Sequence, residues 1–263
     1  AILNYNEISE IRYVGGCVRK ILNKEEFDDI DLAANIEPNE TILALKNNDI
    51  NFHETGLKHG TVTASVNNKN FEITSLRRDV DTDGRHAKVE FSNNWREDAL
   101  RRDFTFNSIY ADLEGNLFDP FNGKEDLKNG IVKFIGSPEE RIKEDYLRIL
   151  RYFRFFIQCS KTGHDQDVIK SIRKNINGLN KISNERIFDE LKKILRIENL
   201  YSLFSNNESK EIIVNIFPQF KYYERLKKIN NLDKKNIDTL KKKNSELKKL
   251  EIELKNKKNI ITE

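Results

Sequence analysis

The sequence predicts an α+β fold, with a mixed sheet in the first 137 residues and helices alone after them. Three observations carry this expectation. Short runs alternating apolar and polar side chains recur at 11–14, 27–33, 61–66 and 71–75, which is the strand period of two. Helical stretches at 17–22 and 38–46 are interleaved with the first of them. Beyond Ser137-Pro138 the period changes, and Ile142, Leu147, Leu150, Phe153 and Phe156 recur at roughly helical intervals, as an apolar stripe on a helix requires.

Along the chain, 11–14 reads as a strand, Gly15-Gly16 as a turn, and 17–22 as the start of a helix. Without Cβ atoms, a glycine pair at that junction lets the backbone approach a phosphate closely, with the first free N–H groups of the helix aimed at it. The strand 27–33 is built around Asp29 and Asp31, and 38–46 is a helix with Pro near its start. Runs 61–66 and 71–75 flank Asn67-Asn68-Lys69-Asn70, a hairpin signal. The polar stretch 77–91, with Asp81-Thr82-Asp83-Gly84-Arg85, reads as a mobile loop. Ser183 is placed as N-cap of a helix over 185–195, and 212–217 belongs to another before Pro218. From Phe220 to the end the chain carries thirteen Lys, with Leu240, Leu247 and Leu254 spaced by seven. That segment reads as a solvated helix or as an RNA-contacting face.

Composition bounds the function classes. With 263 residues, 37% of them hydrophobic and 34% charged, the chain should form an N-terminal domain plus one or two further modules. A net charge of +3 does not by itself identify a nucleic-acid binder, because clustering matters more than the total. Cys17 and Cys159 are far apart and lack C-x-x-C spacing, so reduced thiols are expected, with neither a disulfide framework nor a zinc site. No apolar run reaches the roughly 18 residues of a membrane span, and the first ten residues lack a secretory pattern. The expected address is the cytosol, with no membrane partner.

Chemistry concentrates in a few motifs. Asp29 and Asp31, two apart on a strand, point to one face, and paired carboxylates suit a Mg²⁺ site. Glu72, within Phe71-Glu72-Ile73, is the third acid expected on an adjacent strand to complete a two-metal set. Alone, D-x-D reads equally as an exposed strand face. The run Arg101-Arg102-Asp103-Phe104-Thr105-Phe106-Asn107 sets guanidinium groups suited to phosphate beside a carboxylate and an amide suited to ribose hydroxyls. In isolation it is a surface ion pair. Asp119-Pro120-Phe121-Asn122-Gly123 with Asp126-Leu127 reads as a structural turn entering a helix. In Glu144-Asp145-Tyr146-Leu147-Arg148, Asp145 and Arg148 are three apart and share a face of the predicted helix. They form either a routine salt bridge or a base reader. Cytosine and adenine present an amino donor beside a ring-nitrogen acceptor, which a carboxylate and a guanidinium match, whereas uracil and guanine present the reverse.

In this order the motifs resemble those of the class II tRNA nucleotidyltransferase and bacterial poly(A) polymerase family, over roughly residues 11–195. Gly15, Gly16, Val18 and Arg19 match its G-G-x-V-R-D, with Lys20 where the family carries an acid. Asp29 and Asp31 match D-x-D, Arg101 to Asn107 match R-R-D-x-x-x-N, Asp119 to Leu127 match D-P-x-x-G-x-x-D-L, and Glu144 to Arg148 match E-D-x-x-R. The resemblance implies a polymerase-β-like nucleotidyltransferase head over 1–137, a helical neck over 138–200 and a body and tail over 201–263. It implies transfer of C, C and A from CTP and ATP to a tRNA 3′ end with release of pyrophosphate. Asp29 and Asp31 would hold Mg²⁺, with Glu72 as the third catalytic acid, and Gly15, Gly16, Arg19, Arg102, Asp103, Asn107, Asp145, Arg148 and Arg151 would contact nucleotide. The loop with Asp81 to Arg85 resembles one needed for the final A. Relatives adding only A, only CC or a poly(A) tail stand as alternatives, and from another class, a non-catalytic RNA-binding module.

Overall fold

A computed structural model of the chain describes residues 9–27, 29–82, 87–197 and 200–224. The chain divides into two compact units, Ala1–Lys193 and Ile194–Glu263. Every residue expected above to contact metal or nucleotide belongs to the first.

The first unit opens with β1 (Ile11–Val14), α1 (Gly16–Leu22), β2 (Ile30–Ala34), α2 (Pro38–Lys46), β3 (Asn51–Gly56), β4 (Thr61–Val66) and β5 (Lys69–Ser75). A two-stranded ribbon, β6 (Arg77–Thr82) and β7 (Ala87–Phe91), leads to α3 (Trp95–Leu100), β8 (Tyr110–Ala111), β9 (Leu117–Phe118) and α4 (Gly123–Asn129). The main sheet has the order β3-β4-β5-β2-β1-β8-β9. β2 runs parallel to β5, and the remaining neighbours are antiparallel, so the sheet is mixed, as the sequence predicts.

Alternation along β2 separates the two faces. Leu32 and Ala34 pack with Ile42 and Leu45 of α2 and with Val62, Ala64 and Ile73. Ala33 turns the other way, onto Val14, Leu76, Ala99 and Tyr110. Asp31 shares that second face. β2 begins at Ile30 and not at residue 27, because its ladder to β5 starts at Ile30↔Phe71 and the preceding acids are poor strand formers. The hairpin turns on Asn67 and Asn68, whose φ values of 50° and 60° are the left-handed pair that a two-residue connection needs.

Two sequence expectations are corrected here. Within the stretch expected to be a loop, residues 77–82 and 87–91 form the paired strands β6 and β7, with an irregularity between Asp79 and Asp81. β6, Arg77-Arg78-Asp79-Val80-Asp81-Thr82, carries a single apolar residue and so lacks the alternation that reveals a half-buried strand, whereas β7, Ala87-Lys88-Val89-Glu90-Phe91, does alternate and is the available signal. Asp83, Gly84 and Arg85 lie outside the described residues. The helix expected through Glu144–Arg148 is broken: α5 (Pro138–Glu144) ends at Asp145, whose φ and ψ of −152° and 104° are extended, and α6 (Arg148–Cys159) begins afresh. Tyr146 in the break packs so closely on Gly178 that a Cβ there would lie 2.0 Å from its ring. That tertiary contact overrides helix propensity.

α7 (Gln166–Asn175) and α8 (Asn184–Leu195) follow; Ser183 gives its carbonyl to the first turn of α8, accepting from Ile187 N–H at 3.2 Å. The second unit contains α9 (Asn207–Ile216), capped by Asn206, over Leu200, Leu203 and Phe204. The Lys-rich segment and its leucine seam lie outside the described residues. Cys17 and Cys159 are free thiols. Among the described residues no helix is long and apolar enough to cross a membrane.

Candidate active site

Gly15 caps α1 with φ 72° and ψ −121°, a conformation that L side chains rarely adopt. A Cβ on Gly15 would lie 3.7 Å from Arg102 Nη1 and 3.9 Å from Asp31 Oδ2, and one on Gly16 would lie 4.0 Å from the same oxygen. The glycine turn therefore faces the D-x-D strand across a gap that side chains would fill. Burial raises the Asp31 carboxyl above its usual range; Arg102 and Arg19 pull it down, and the Asp29 charge pushes it up. Parallel pairing sets Glu72 directly beside Asp31, so both point to the same face. Among the described residues no three His, Cys, Asp or Glu side chains converge into a ready metal cluster. Asp29, just ahead of the strand, and Glu72 are both exposed, and exposed carboxylates repel one another unless a cation joins them.

Arg102 is set by residues that sequence reasoning passed over. Its Nε donates to Tyr110 Oη at 3.0 Å and its Nη2 to Asp98 Oδ2 at 3.0 Å. Tyr110 donates to the same carboxylate oxygen at 2.6 Å, and Arg101 Nε donates to Asp98 Oδ1 at 2.8 Å. Asp98 is 1% exposed; although burial opposes its charge, Arg102 and Arg101 hold its carboxyl well below the usual carboxylate range. With Nε and Nη2 occupied, Nη1 is the edge that Arg102 presents to the glycine turn. The four-residue spacing of Asp98 and Arg102 on and beside α3 is the signal that could have found this pair.

The rest of the R-R-D-x-x-x-N motif joins sheet to helix. Asp103 accepts from Phe104 N–H and from Asn107 Nδ2, both at 2.9 Å, and from Arg151 Nε at 2.6 Å. Burial pushes its carboxyl up, but the Arg151 charge and these hydrogen bonds hold it down at about 2. Asn107 Oδ1 accepts in turn from Arg19 Nη1, and Arg19 lies 4.8 Å over the Phe155 ring. Asp103 thus has both oxygens engaged within the protein, as a link between the motif and α6. Phe104 and Phe106, alternating with the polar residues, are fully buried against Phe155 at 5.3 Å between ring centroids. That packing fixes the backbone carrying Asp103 and Asn107.

Asp145 and Arg148 are both close to this network but do not pair with each other among the described contacts. Arg148 Nη1 donates to Glu144 Oε2 at 2.7 Å and to the Arg141 carbonyl at 2.8 Å, and Nη2 to the Arg101 carbonyl at 3.1 Å. Asp145 accepts from Leu147 N–H at 3.2 Å and from Arg186 Nη2 at 2.7 Å. A routine intrahelical salt bridge is therefore not what these residues form. Arg141, buried on α5, donates to the Arg101 and Arg102 carbonyls at 2.6 Å each, which clamps the helices onto the motif. Asp119 is structural, accepting from the N–H groups of Gly123 and Lys124 at 2.8 Å each, while Asp126 braces Thr105 at 2.7 Å. A polar cleft of about 440 Å³, lined by Glu37, Glu40, Arg78, Phe91 and Glu97 among others, lies beside the ribbon and holds none of the motif residues.

A carboxylate facing a glycine turn, with a clamped arginine beside it, is an arrangement that can accommodate phosphate groups, and comparison with known proteins gives the family. Residues 11–133 match the Poly A polymerase head domain, and residues 165–224 match the probable RNA and SrmB-binding site of polymerase A. The chain belongs to this family of nucleotidyltransferases, which in general depend on a metal. It is 50% identical over 192 residues to the mitochondrial CCA tRNA nucleotidyltransferase 1 of Homo sapiens, covering 72% of this chain and 44% of that protein. The fold matches the Bacillus stearothermophilus CCA-adding enzyme in complex with CTP, with TM-score 0.64 and 32% identity over 71% of this chain and 44% of that one. It also matches a tRNA nucleotidyltransferase complexed with a primer tRNA and an incoming ATP analog, with TM-score 0.59 and 26% identity over 83% and 58%. The chain thus spans about half the length of these relatives.

Proposed function

We propose that the chain adds C, C and A to the 3′ end of tRNA, using CTP and ATP and releasing pyrophosphate. The observation that carries this reading is the approach of Asp31 to the Gly15-Gly16 turn, with Arg102 Nη1 beside it. Similarity to proteins named for CCA addition supports the substrate.

The Asp31 carboxylate is partly buried, crowded by the Asp29 charge, and accepts no hydrogen bond within the protein among the described contacts. An unpartnered oxygen donor of this kind fits a hard cation, so Asp29 and Asp31 would hold Mg²⁺, with Glu72 as the third acid. When bound, Mg²⁺ neutralises triphosphate charge and makes the 3′-hydroxyl a better nucleophile. The glycine turn leaves room for the phosphates, and Arg102 offers them Nη1, already oriented by Asp98 and Tyr110. The 3′-hydroxyl gives up its proton to solvent as its oxygen attacks the α-phosphorus, and the bond from that phosphorus to the α–β bridging oxygen breaks so that pyrophosphate leaves. Asn107 and Arg19 hold the turn and the motif in register, while Asp103 and Arg151 tie them to α6. Asp145 and Arg148 read the base, the first accepting from the amino group and the second donating to the ring nitrogen. Arg148 keeps its Nε–H and one Nη2–H for that purpose.

In this reading residues 1–137 are the head, 138–200 the nucleotide-selecting neck and 201–263 a tRNA-binding body and tail. The cytoplasmic address is retained as part of the proposal, although a relative named as mitochondrial is also close. The test is incorporation of labelled CMP and AMP into tRNA lacking its terminal residues, with and without Mg²⁺. Metal-dependent incorporation of both is expected, and its absence would reduce the chain to a binding module.

A further inference from the structure

Asp145, at the break between α5 and α6, does not have a freely turning carboxylate. Arg186 Nη2 donates to Oδ2 at 2.7 Å and Leu147 N–H donates to Oδ1 at 3.2 Å. One donor on each oxygen fixes the plane of the group. Arg186 comes from α8, a different element. α8 is itself secured to α6 one turn further on, where buried Glu190 accepts from Arg154 Nε at 2.5 Å. Arg186 and Glu190, four apart, share one face of α8. The Arg154–Glu190 pair is 10% and 2% exposed, whereas Arg186 and Asp145 keep 42% and 26% of their side chains exposed. The deep pair thus fastens the helices, and the shallow pair borders open space. Arg148 is held by other partners, Glu144 and the carbonyls of Arg141 and Arg101.

We infer that Arg186 is a specificity-determining positioning residue, which orients the Asp145 carboxylate toward the amino group of an incoming cytosine or adenine. The inference rests on the proposal that Asp145 and Arg148 read the base. Each carboxylate oxygen can accept two hydrogen bonds; Arg186 and Leu147 take one apiece, and one lone pair on each remains for the base. Those lone pairs meet an amino donor on cytosine or adenine and repel the carbonyl oxygen of uracil or guanine. Without Arg186 the carboxylate turns about its own axis, and both the attraction and the repulsion weaken. A charge-assisted hydrogen bond corresponds to roughly tenfold or more in discrimination.

The experiment offers an RNA primer and all four triphosphates to the parent chain and to Arg186→Ala, Arg186→Lys, Asp145→Ala and the Arg186→Ala/Asp145→Ala double variant. Thermal unfolding checks that each is folded. Arg186→Ala should lose roughly tenfold of the preference for CTP and ATP over UTP and GTP, and Arg186→Lys should recover part of it. The double variant should lose no more than Asp145→Ala alone, because the arginine acts through that carboxylate. If Asp145→Ala loses the preference while Arg186→Ala keeps it, or if the two losses add in the double variant, the role of Arg186 is overturned and base reading stands. If Asp145→Ala keeps the parent preference, base reading itself is wrong and this inference fails with it.

Discussion

At the residue scale the proposed chemistry rests most heavily on Asp31, because it alone among the three acids is both partly buried and directed at the glycine turn. Replacing it, or Asp29, with Ala should lower nucleotide incorporation by several orders of magnitude while leaving the fold intact, since a lost ligand removes both charge neutralisation and nucleophile activation. Near-normal incorporation by either variant, measured with labelled CTP and ATP, would remove the metal assignment. Gly15→Ala tests the other side of the gap. At φ 72° and ψ −121° a side chain adds strain of about 1–3 kcal/mol, and its Cβ would stand between Asp31 and Arg102. The expected outcome is a lower melting temperature together with lost activity; a variant as active as the parent would show that the turn does not face the triphosphate. Asp145→Ala, scored by competition of the four triphosphates, should lose roughly one to two powers of ten in base discrimination.

Between elements, Asp103 is the link whose loss should be felt in stability. Truncating one partner of a buried ion pair leaves an uncompensated charge, so Asp103→Ala should cost about 3–5 kcal/mol in denaturant unfolding. Its pH dependence has a definite sign. The folded carboxyl, at about 2, lies below the unfolded value of roughly 4. The stability it contributes is therefore complete above about pH 4 and is lost as pH falls toward 2. Asp103→Asn should flatten the acid limb of an unfolding-versus-pH curve in that window; an unchanged limb would mean that Asp103 titrates as in the unfolded chain. The same scale shows what the sequence could and could not convey. The mixed sheet, the hairpin at Asn67-Asn68 and the glycine turn were readable because local period and turn chemistry decide them. The break at Asp145 was not, because it depends on Tyr146 meeting Gly178 from a distant segment. The β6–β7 ribbon escaped notice because β6 carries a single apolar residue, Val80, and the short alternating run of β7 reads together with it as one polar stretch. Asp98, Tyr110, Arg141 and Arg186 entered the site through packing that no single-sequence spacing announces, apart from the turn-length separation of Asp98 and Arg102.

Taken as a whole, the motifs scattered over residues 15–151 come together in one compact unit. Arg19, Asn107, Asp103 and Arg151 form a continuous polar chain through it. That continuity places the groups proposed for phosphate, metal and base on a shared support, which is what selecting a nucleotide without a nucleic-acid template demands. The most direct test supplies tRNA ending before the CCA, after the first C and after CC, each with CTP or ATP alone, and resolves the products at single-nucleotide length. The account predicts C addition to the first two and one A on the third. No incorporation, A added regardless of the preceding end, or long A tails would contradict it.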